Sequence, residues 1–464
     1  MQVHKILFLI VLLCSTNVFS ADGIWSKQLT SVLQKNGLAA NQYGIEIKSL
    51  DGKQVYFSAN GEKTFNPAST IKTLISIIAL EQLGPNYKFS TLLKKQGNDL
   101  CIVGGGDPAL VYEDVFLMVE EFMRSPIEKH FNQSTIGNLI VDESFYPTDR
   151  SYGDLFEDDF QRSFTTPISS LSVNYNSVTV IVRGSTPGQK PFVTTEPRLK
   201  YFTVQNSAKT SATKTNTIQA DVTHKNGSVV IQVAGQISAD QEVKIYRAVI
   251  DPPTYVGVLF KDLFERAGGN MSGAVQKKAC SANATLLVDY KSKPLSQTIL
   301  GMNKFSNNFI AESLLYHVGP QPNSKSGLEK MRSWMREKNL PIKNVSIDNA
   351  SGLSRSNTVT PDFMWNLYAY GRNQFSIFPE LVSSFGIAGT DGTLRRRFKS
   401  AVMERQVRAK SGSLKNTVSL VGSIQTASKG ELLFTFLFEL NGKSMGTVQG
   451  IEEDLLEAVA KLGS

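Results

Sequence analysis

From 71 to 83 the chain is apolar at Ile71, Leu74, Ile75, Ile77, Ile78 and Leu80, and Gly84-Pro85 closes the run. Apolar residues on all sides predict a buried helix there. Upstream, 24–38 sets Trp25, Leu29, Val32 and Leu33 on one face and predicts an amphipathic helix. Alternation over 43–50, the turn Asp51-Gly52 and a return over 53–58 predict a β-hairpin. From about 85 to 285 the texture changes to short β-type runs, at 99–103, 137–142, 177–182 and 228–233, with helices at 112–124 and 255–268. The polar Thr/Lys-rich stretches around 165–235 mark a β-rich sub-lobe. Helical periodicity returns at 296–304, 307–316, 327–338 and 360–370. Strands at 418–424 and 431–440 and a final amphipathic helix at 448–462 complete the chain. Antiparallel strands followed by a helix predict a sheet covered by helices.

Size and composition narrow the class. The 464 residues are 41% hydrophobic and 19% charged, an ordinary globular balance with room for two or three domains. Net charge is +8, yet the longest basic cluster is Arg395-Arg396-Arg397 and no nucleic-acid motif occurs. A diffuse positive charge suits an acidic polymer. At the N-terminus, Lys5, an apolar core over 6–13 and Val18-Phe19-Ser20 before Ala21 read as a signal peptide over 1–20. The expected location is therefore exported, in the periplasm or cell envelope, with no transmembrane span and at most peripheral association with the envelope. Cys14 follows Leu13, too large for a usual lipoprotein site. The remaining cysteines, Cys101 and Cys280, either pair in an oxidising compartment or lie as separate buried thiols. His130, His224 and His317 are scattered, so a zinc site or a Ser-His-Asp triad has little support.

Three short motifs carry the candidate chemistry. Ser69-x-x-Lys72 opens the apolar helix, with the amine one turn from the hydroxyl and both near free backbone N–H groups. A serine needs an adjacent base, and a lysine serves as one when burial or cationic neighbours lower its pKa. Ser211 and Lys214 repeat the spacing in a polar stretch with no such helix behind it. Ser306-x-Asn308 sets a proton-relaying hydroxyl and an orienting amide where two helices meet. Lys410-Ser411-Gly412 offers a cation, a hydroxyl and a bare backbone at the start of a strand, suited to a carboxylate-ended substrate laid along the edge. The N–H of Ser413 can join that of Ser69 as an oxyanion hole. Lys325-Ser326-Gly327 has the same letters but opens a helix, where it reads as a cap.

In this order the three motifs resemble those of penicillin-recognising serine enzymes. The long insert between the first two is similar to that of the class C low-molecular-mass penicillin-binding proteins, the D-alanyl-D-alanine carboxypeptidase/endopeptidase family. Gly104-Gly105-Gly106-Asp107-Pro108, 348–355 and Gly389-Thr390-Asp391-Gly392-Thr393-Leu394 also resemble segments of that family. Ser411, where the family more often has threonine, keeps the hydroxyl, and Asn349 stands where glycine is more usual. The resemblance implies an α/β, transpeptidase/β-lactamase-like domain from 21–84 and 286–464, split by an inserted region over 85–285 of one to two β-rich lobes. It implies that Ser69 forms an acyl-enzyme on peptidoglycan stem peptides, with Lys72 taking the proton and Ser306 passing it on. Asn308, Lys410, Ser411, Gly412 and Ser413 bind substrate in that scheme. Carboxypeptidase action, a second endopeptidase output, acylation by β-lactam antibiotics and no cofactor are the further expectations. A β-lactamase shares the motifs, but the large insert argues against it. A non-catalytic wall-binding protein with this fold has no need of all five of Ser69, Lys72, Ser306, Asn308 and Lys410.

Overall fold

The computed structural model describes residues 23–124, 126–131, 135–146, 163–225 and 228–464. The signal segment expected over 1–20 lies outside the described residues. Among them, no helix is long and apolar enough to cross a membrane.

The strand Gly430–Glu439 explains the central architecture. Its side chains alternate between two cores, which is why nearly every position is apolar. Phe434, Phe436 and Phe438 face one core, closed by the terminal helices Gly23–Lys35 and Met445–Leu462. Leu433 and Leu437 face the other, where the helix Lys72–Leu83 packs with Leu295–Phe305, Asn308–Val318, Ser324–Glu337 and Pro361–Asn373. The sheet is antiparallel with six strands, in the order Gly386–Ile387, Val407–Leu414, Thr417–Thr426, Gly430–Glu439, Tyr43–Ser49 and Val55–Ala59. The register Ile47↔Phe434 joins the N-terminal hairpin to the C-terminal strands. The expected helix-covered antiparallel sheet is thus present, and the ends of the chain complete it together.

The inserted region is a mixed five-stranded sheet with a β-rich extension. Its strands run Val275–Lys277, Leu139–Asp142, Asp99–Gly104, Ser90–Gln96 and Thr285–Lys291, under the helices Tyr112–Met123 and Pro252–Arg266. Two boundaries differ from the sequence expectation. Thr285–Lys291 pairs with Ser90–Gln96, so the region ends after Lys291 rather than at 285. That strand is a largely exposed edge, with Val288 its one buried residue, and its pattern gives no apolar alternation to read. The β-rich part also runs past 235, because Glu242–Ala248 pairs with Ser177–Arg183. Both parts share one apolar core, in which Val178 and Ile231 are continuous with Ile102 and Phe260. Cys101 and Cys280 form a disulfide with their α-carbons 6.1 Å apart, which settles the pairing that the sequence left open.

Candidate active site

Ser69 lies in a 3-10 turn, Ala68–Ile71, that runs into the helix Lys72–Leu83. In such a turn residues three apart stack almost directly, so Lys72 stands over Ser69. Ala68 adopts a left-handed φ of 46°, an uncommon conformation for a residue with a Cβ. The loop after Asp348 holds it there: a side chain on Gly352 would overlap the Ala68 carbonyl oxygen.

Lys72 is fully buried. Its Nζ donates to Ser69 Oγ at 2.9 Å, to Asn308 Oδ1 at 2.7 Å and to the Ser351 carbonyl. Burial pushes its pKa well below the usual lysine value, the neighbouring Lys410 charge pushes the same way, and Glu312 opposes both. An amine in this state is suited to take a proton from Ser69 Oγ. The Ser69 hydroxyl itself lies 3.4 Å from the Ser351 carbonyl oxygen.

The second motif is placed by a break between helices. Ser306 caps Leu295–Phe305 in the left-handed conformation, φ 55° and ψ 39°. Asn307 then caps the next helix, its Oδ1 accepting the Ile310 N–H at 3.0 Å. This turn presents Ser306 Oγ to Lys410 at 3.0 Å and Asn308 to Lys72. Asn308 Nδ2 donates to the Phe164 carbonyl at 3.2 Å, so the inserted region also touches the site.

Lys410 lies in the middle of Val407–Leu414, not at the start of a strand as its sequence context implies. It is fully buried, and burial lowers its pKa to about 7. The outer strand Gly386–Ile387 covers only Ala409 and Arg408, which leaves the edge beyond them open among the described residues. A Cβ on Gly412 would lie 2.8 Å from the Ser69 nitrogen, so bare backbone passes directly beside the serine. Ser413 follows on the same edge, half-buried. Ser411 Oγ donates to Thr393 Oγ1 at 2.7 Å.

The structure therefore gathers Ser69, Lys72, Ser306, Asn308 and Lys410 into one polar cluster, with Ser411, Gly412 and Ser413 along its rim. Ser211 instead ends the short strand Lys209–Ser211, and Lys325-Ser326-Gly327 forms the first turn of Ser324–Glu337, capped by Asn323 at 2.8 Å. A cavity of about 540 Å³ lined by Tyr112, Tyr175, Glu196 and Tyr246 lies in the inserted region and holds none of the motif residues. Sequence reasoning missed Glu312 and the Phe164 carbonyl, and gave no role to Ser351 and Thr393 although both lie in segments it singled out. Glu312 carried a signal of its own, standing one helical turn after Asn308 and so on the same face.

A model of the D-Ala-D-Ala carboxypeptidase 3 (S13) family matches residues 25–458. The chain belongs to this family. Among similar proteins, a D-alanyl-D-alanine carboxypeptidase from an Actinomadura species is 26% identical over 440 residues, covering 89% of this chain and 80% of that protein. The D-alanyl-D-alanine carboxypeptidase DacB of Haemophilus influenzae is 26% identical over 429 residues, covering 88% and 86%. The fold is similar to that of penicillin binding protein 4 of Haemophilus influenzae, with a TM-score of 0.77 at 24% identity over 93% of this chain and 99% of that one. A predatory peptidoglycan endopeptidase from Bdellovibrio bacteriovorus superposes with a TM-score of 0.53 at 16% identity over 91% and 92%.

Proposed function

We propose that this protein is a serine D-alanyl-D-alanine carboxypeptidase, with endopeptidase action on D-alanyl cross-links, that cleaves peptidoglycan stem peptides through an acyl-enzyme at Ser69. The observation that carries the reading is the fully buried Lys72 amine, 2.9 Å from Ser69 Oγ and depressed by burial and by Lys410. A neutral amine there removes the Oγ proton as Oγ attacks the carbonyl between the last two D-alanines. The N–H groups of Ser69 and Ser413 hold the oxyanion. Lys410 and Ser411 bind the terminal carboxylate, and the Ser306 hydroxyl, bonded to Lys410, hands its proton to the departing amine and is reprotonated by the one Lys72 took from Ser69. Asn308 keeps Lys72 aimed through its 2.7 Å bond. Water then attacks the ester, releases the shortened peptide as a carboxylic acid and restores Ser69. A β-lactam opened by Ser69 keeps its leaving nitrogen tethered, so the adduct persists. The leader over 1–20 and the Cys101–Cys280 bond support export to the periplasm or cell envelope.

Labelling with a fluorescent penicillin, followed by mass spectrometry of the labelled peptide, tests this. The expected result is a persistent adduct on Ser69 that is absent from Ser69→Ala, with D-alanine released from a stem pentapeptide by the unlabelled enzyme. Rapid turnover of the penicillin, or no adduct and no D-alanine, would sink the proposal.

A further inference from the structure

Glu312 is a buried carboxylate that the scheme above leaves unused. It projects from the helix Asn308–Val318 and is 3% exposed. Its Oε1 accepts the Ser351 N–H at 2.7 Å. On the other side of the same residue, the Ser351 carbonyl accepts from Lys72 Nζ and faces Ser69 Oγ. One residue thus separates the carboxylate from the amine. Among the described residues Glu312 makes no ion pair within 4.0 Å.

A buried carboxylate with no adjacent cation is costly. A glutamine amide would serve the Ser351 N–H equally well, since it also presents a carbonyl oxygen. What the carboxylate adds is charge. The charged groups that face Lys72 are Glu312, from the neighbouring helix, and Lys410, from the sheet edge. The remaining contacts of Lys72 Nζ, with Ser69, Asn308 and the Ser351 carbonyl, are neutral acceptors. While charged, below about pH 7, Lys410 favours the neutral amine, and Glu312, whose own pKa burial raises, favours the ammonium once it is ionised.

We infer that Glu312 is the counter-charge of Lys72: held behind Ser351, it sets the pH at which the amine becomes a base for Ser69. Glu312 is a positioning residue in this scheme and touches neither substrate nor Ser69. The inference rests on the proposed acylation of Ser69, which supplies its readout.

The test is the second-order rate of Ser69 labelling by a fluorescent penicillin, measured from about pH 5 to about pH 10 for wild type, Glu312→Gln and Glu312→Asp. Loss of the negative charge makes the ammonium easier to deprotonate. The acid limb of Glu312→Gln is thus expected about one pH unit or more below that of wild type, about a tenfold relative gain where the rate is acid-limited. Glu312→Asp keeps the charge but withdraws it by one methylene, so its limb is expected between the two. A limb that stays at the wild-type pH in both variants, with the rate lowered equally at every pH, would mean that Glu312 only braces the loop and would overturn the inference. If Glu312→Gln does not fold, an unmoved limb in Glu312→Asp overturns it alone. A wild type that gains no adduct on Ser69 overturns the functional proposal as well, so the two failures are told apart.

Discussion

Lys410 Nζ donates to the Ser306 hydroxyl at 3.0 Å, which ties the middle of a sheet-edge strand to the break between two helices. Its other bond is to the Ser411 carbonyl at 2.6 Å, so both acceptors are neutral. Among the described residues no carboxylate pairs with it. On the proposed function, this leaves the cation available for a carboxylate brought by the substrate.

The pH dependence follows from burial. Lys410 in the free enzyme is lowered to about 7, so it is charged below that pH and neutral above it. Attraction for a substrate carboxylate is full on the acid side and fades as pH rises through about 7. kcat/KM for a D-Ala-D-Ala peptide is expected to fall on the alkaline side, and an amide-ended analogue is expected to lack that limb while reacting more slowly. Lys410→Ala should cost about a hundredfold in kcat/KM, or about 3 kcal/mol, as for other buried charge partners. Equal alkaline limbs for the acid and amide substrates would count against this role.

Gly412 is where the strand edge and the serine come closest. A methyl group there would press on Ser419 Oγ and stand 2.8 Å from the Ser69 nitrogen and 2.9 Å from the Pro67 carbonyl oxygen. Ser419 Oγ donates to that carbonyl at 2.6 Å, so neither neighbour is free to yield. Gly412→Ala is expected to push the strand outward, to slow penicillin acylation at least tenfold and to destabilise by about 1–3 kcal/mol. Gly450 is the control. It lies in the helix Met445–Leu462 with nothing within 4 Å of an added Cβ. Gly450→Ala should leave the acylation rate unchanged and stabilise by about 0.5–1 kcal/mol. Thermal melts and labelling rates on the two variants check both statements.

How far the site could be read in the sequence depends on what makes each contact. Ser69 and Lys72 are close in sequence, and the apolar helix behind them marks the pair as buried. Ser306, Asn308 and Lys410 are distant, and only the order of motifs links them to Ser69. The Ser351 and Phe164 contributions come from carbonyl oxygens, which every residue possesses, so no residue type announces them. Similarly, the apolar strand Gly430–Glu439 is plain, whereas Glu242–Ala248 does alternate, with Glu242, Lys244 and Tyr246 exposed against half-buried Val243, Ile245 and Arg247, but only Ala248 is fully buried and its polar face hides the short apolar one. The 71–83 helix was legible for the opposite reason, since burial on all sides leaves no polar face to confuse its limits.

Asp391 holds the rim of the site from behind. Its carboxylate accepts from Lys304 Nζ at 2.9 and 2.7 Å and from the Ile387 N–H at 2.8 Å. Two residues on, Thr393 receives the Ser411 hydroxyl. Asp391→Ala leaves the buried Lys304 ammonium with the Phe385 carbonyl at 2.6 Å. Because the Asp391 side chain is 39% exposed, the loss is discounted to about 1–3 kcal/mol. The freed loop no longer fixes Ser411, so KM for the D-Ala-D-Ala peptide should rise several-fold with a smaller change in kcat. Adding Lys304→Met should recover stability but not KM. Recovery of both by the double variant would show that the ion pair acts only on folding.

The disulfide gives a prediction in which stability and chemistry separate. Cys101 and Cys280 are 179 residues apart, and a link across so long a segment restricts the unfolded chain strongly. Cys101 sits in Asp99–Gly104, next to Leu139–Asp142, and the Cys280 N–H donates to Asp142 Oδ2 at 2.8 Å. The bond therefore ties strands within the inserted region, while Ser69, Lys72 and Lys410 are held by the helices and the six-stranded sheet. Replacing both cysteines with serine should cost about 2–5 kcal/mol and lower Tm by roughly 10 °C. Among the described residues the inserted region bonds to a motif residue through the Phe164 carbonyl at Asn308, a neutral hydrogen bond worth about 1 kcal/mol, and Tyr146, Ile168 and Tyr175 pack on Phe309 and Tyr316 of the same helix without involving the disulfide. Penicillin acylation well below the transition should then stay within about fivefold of wild type. A loss of a hundredfold or more in a folded double-serine variant would mean that the insert positions the catalytic cluster directly.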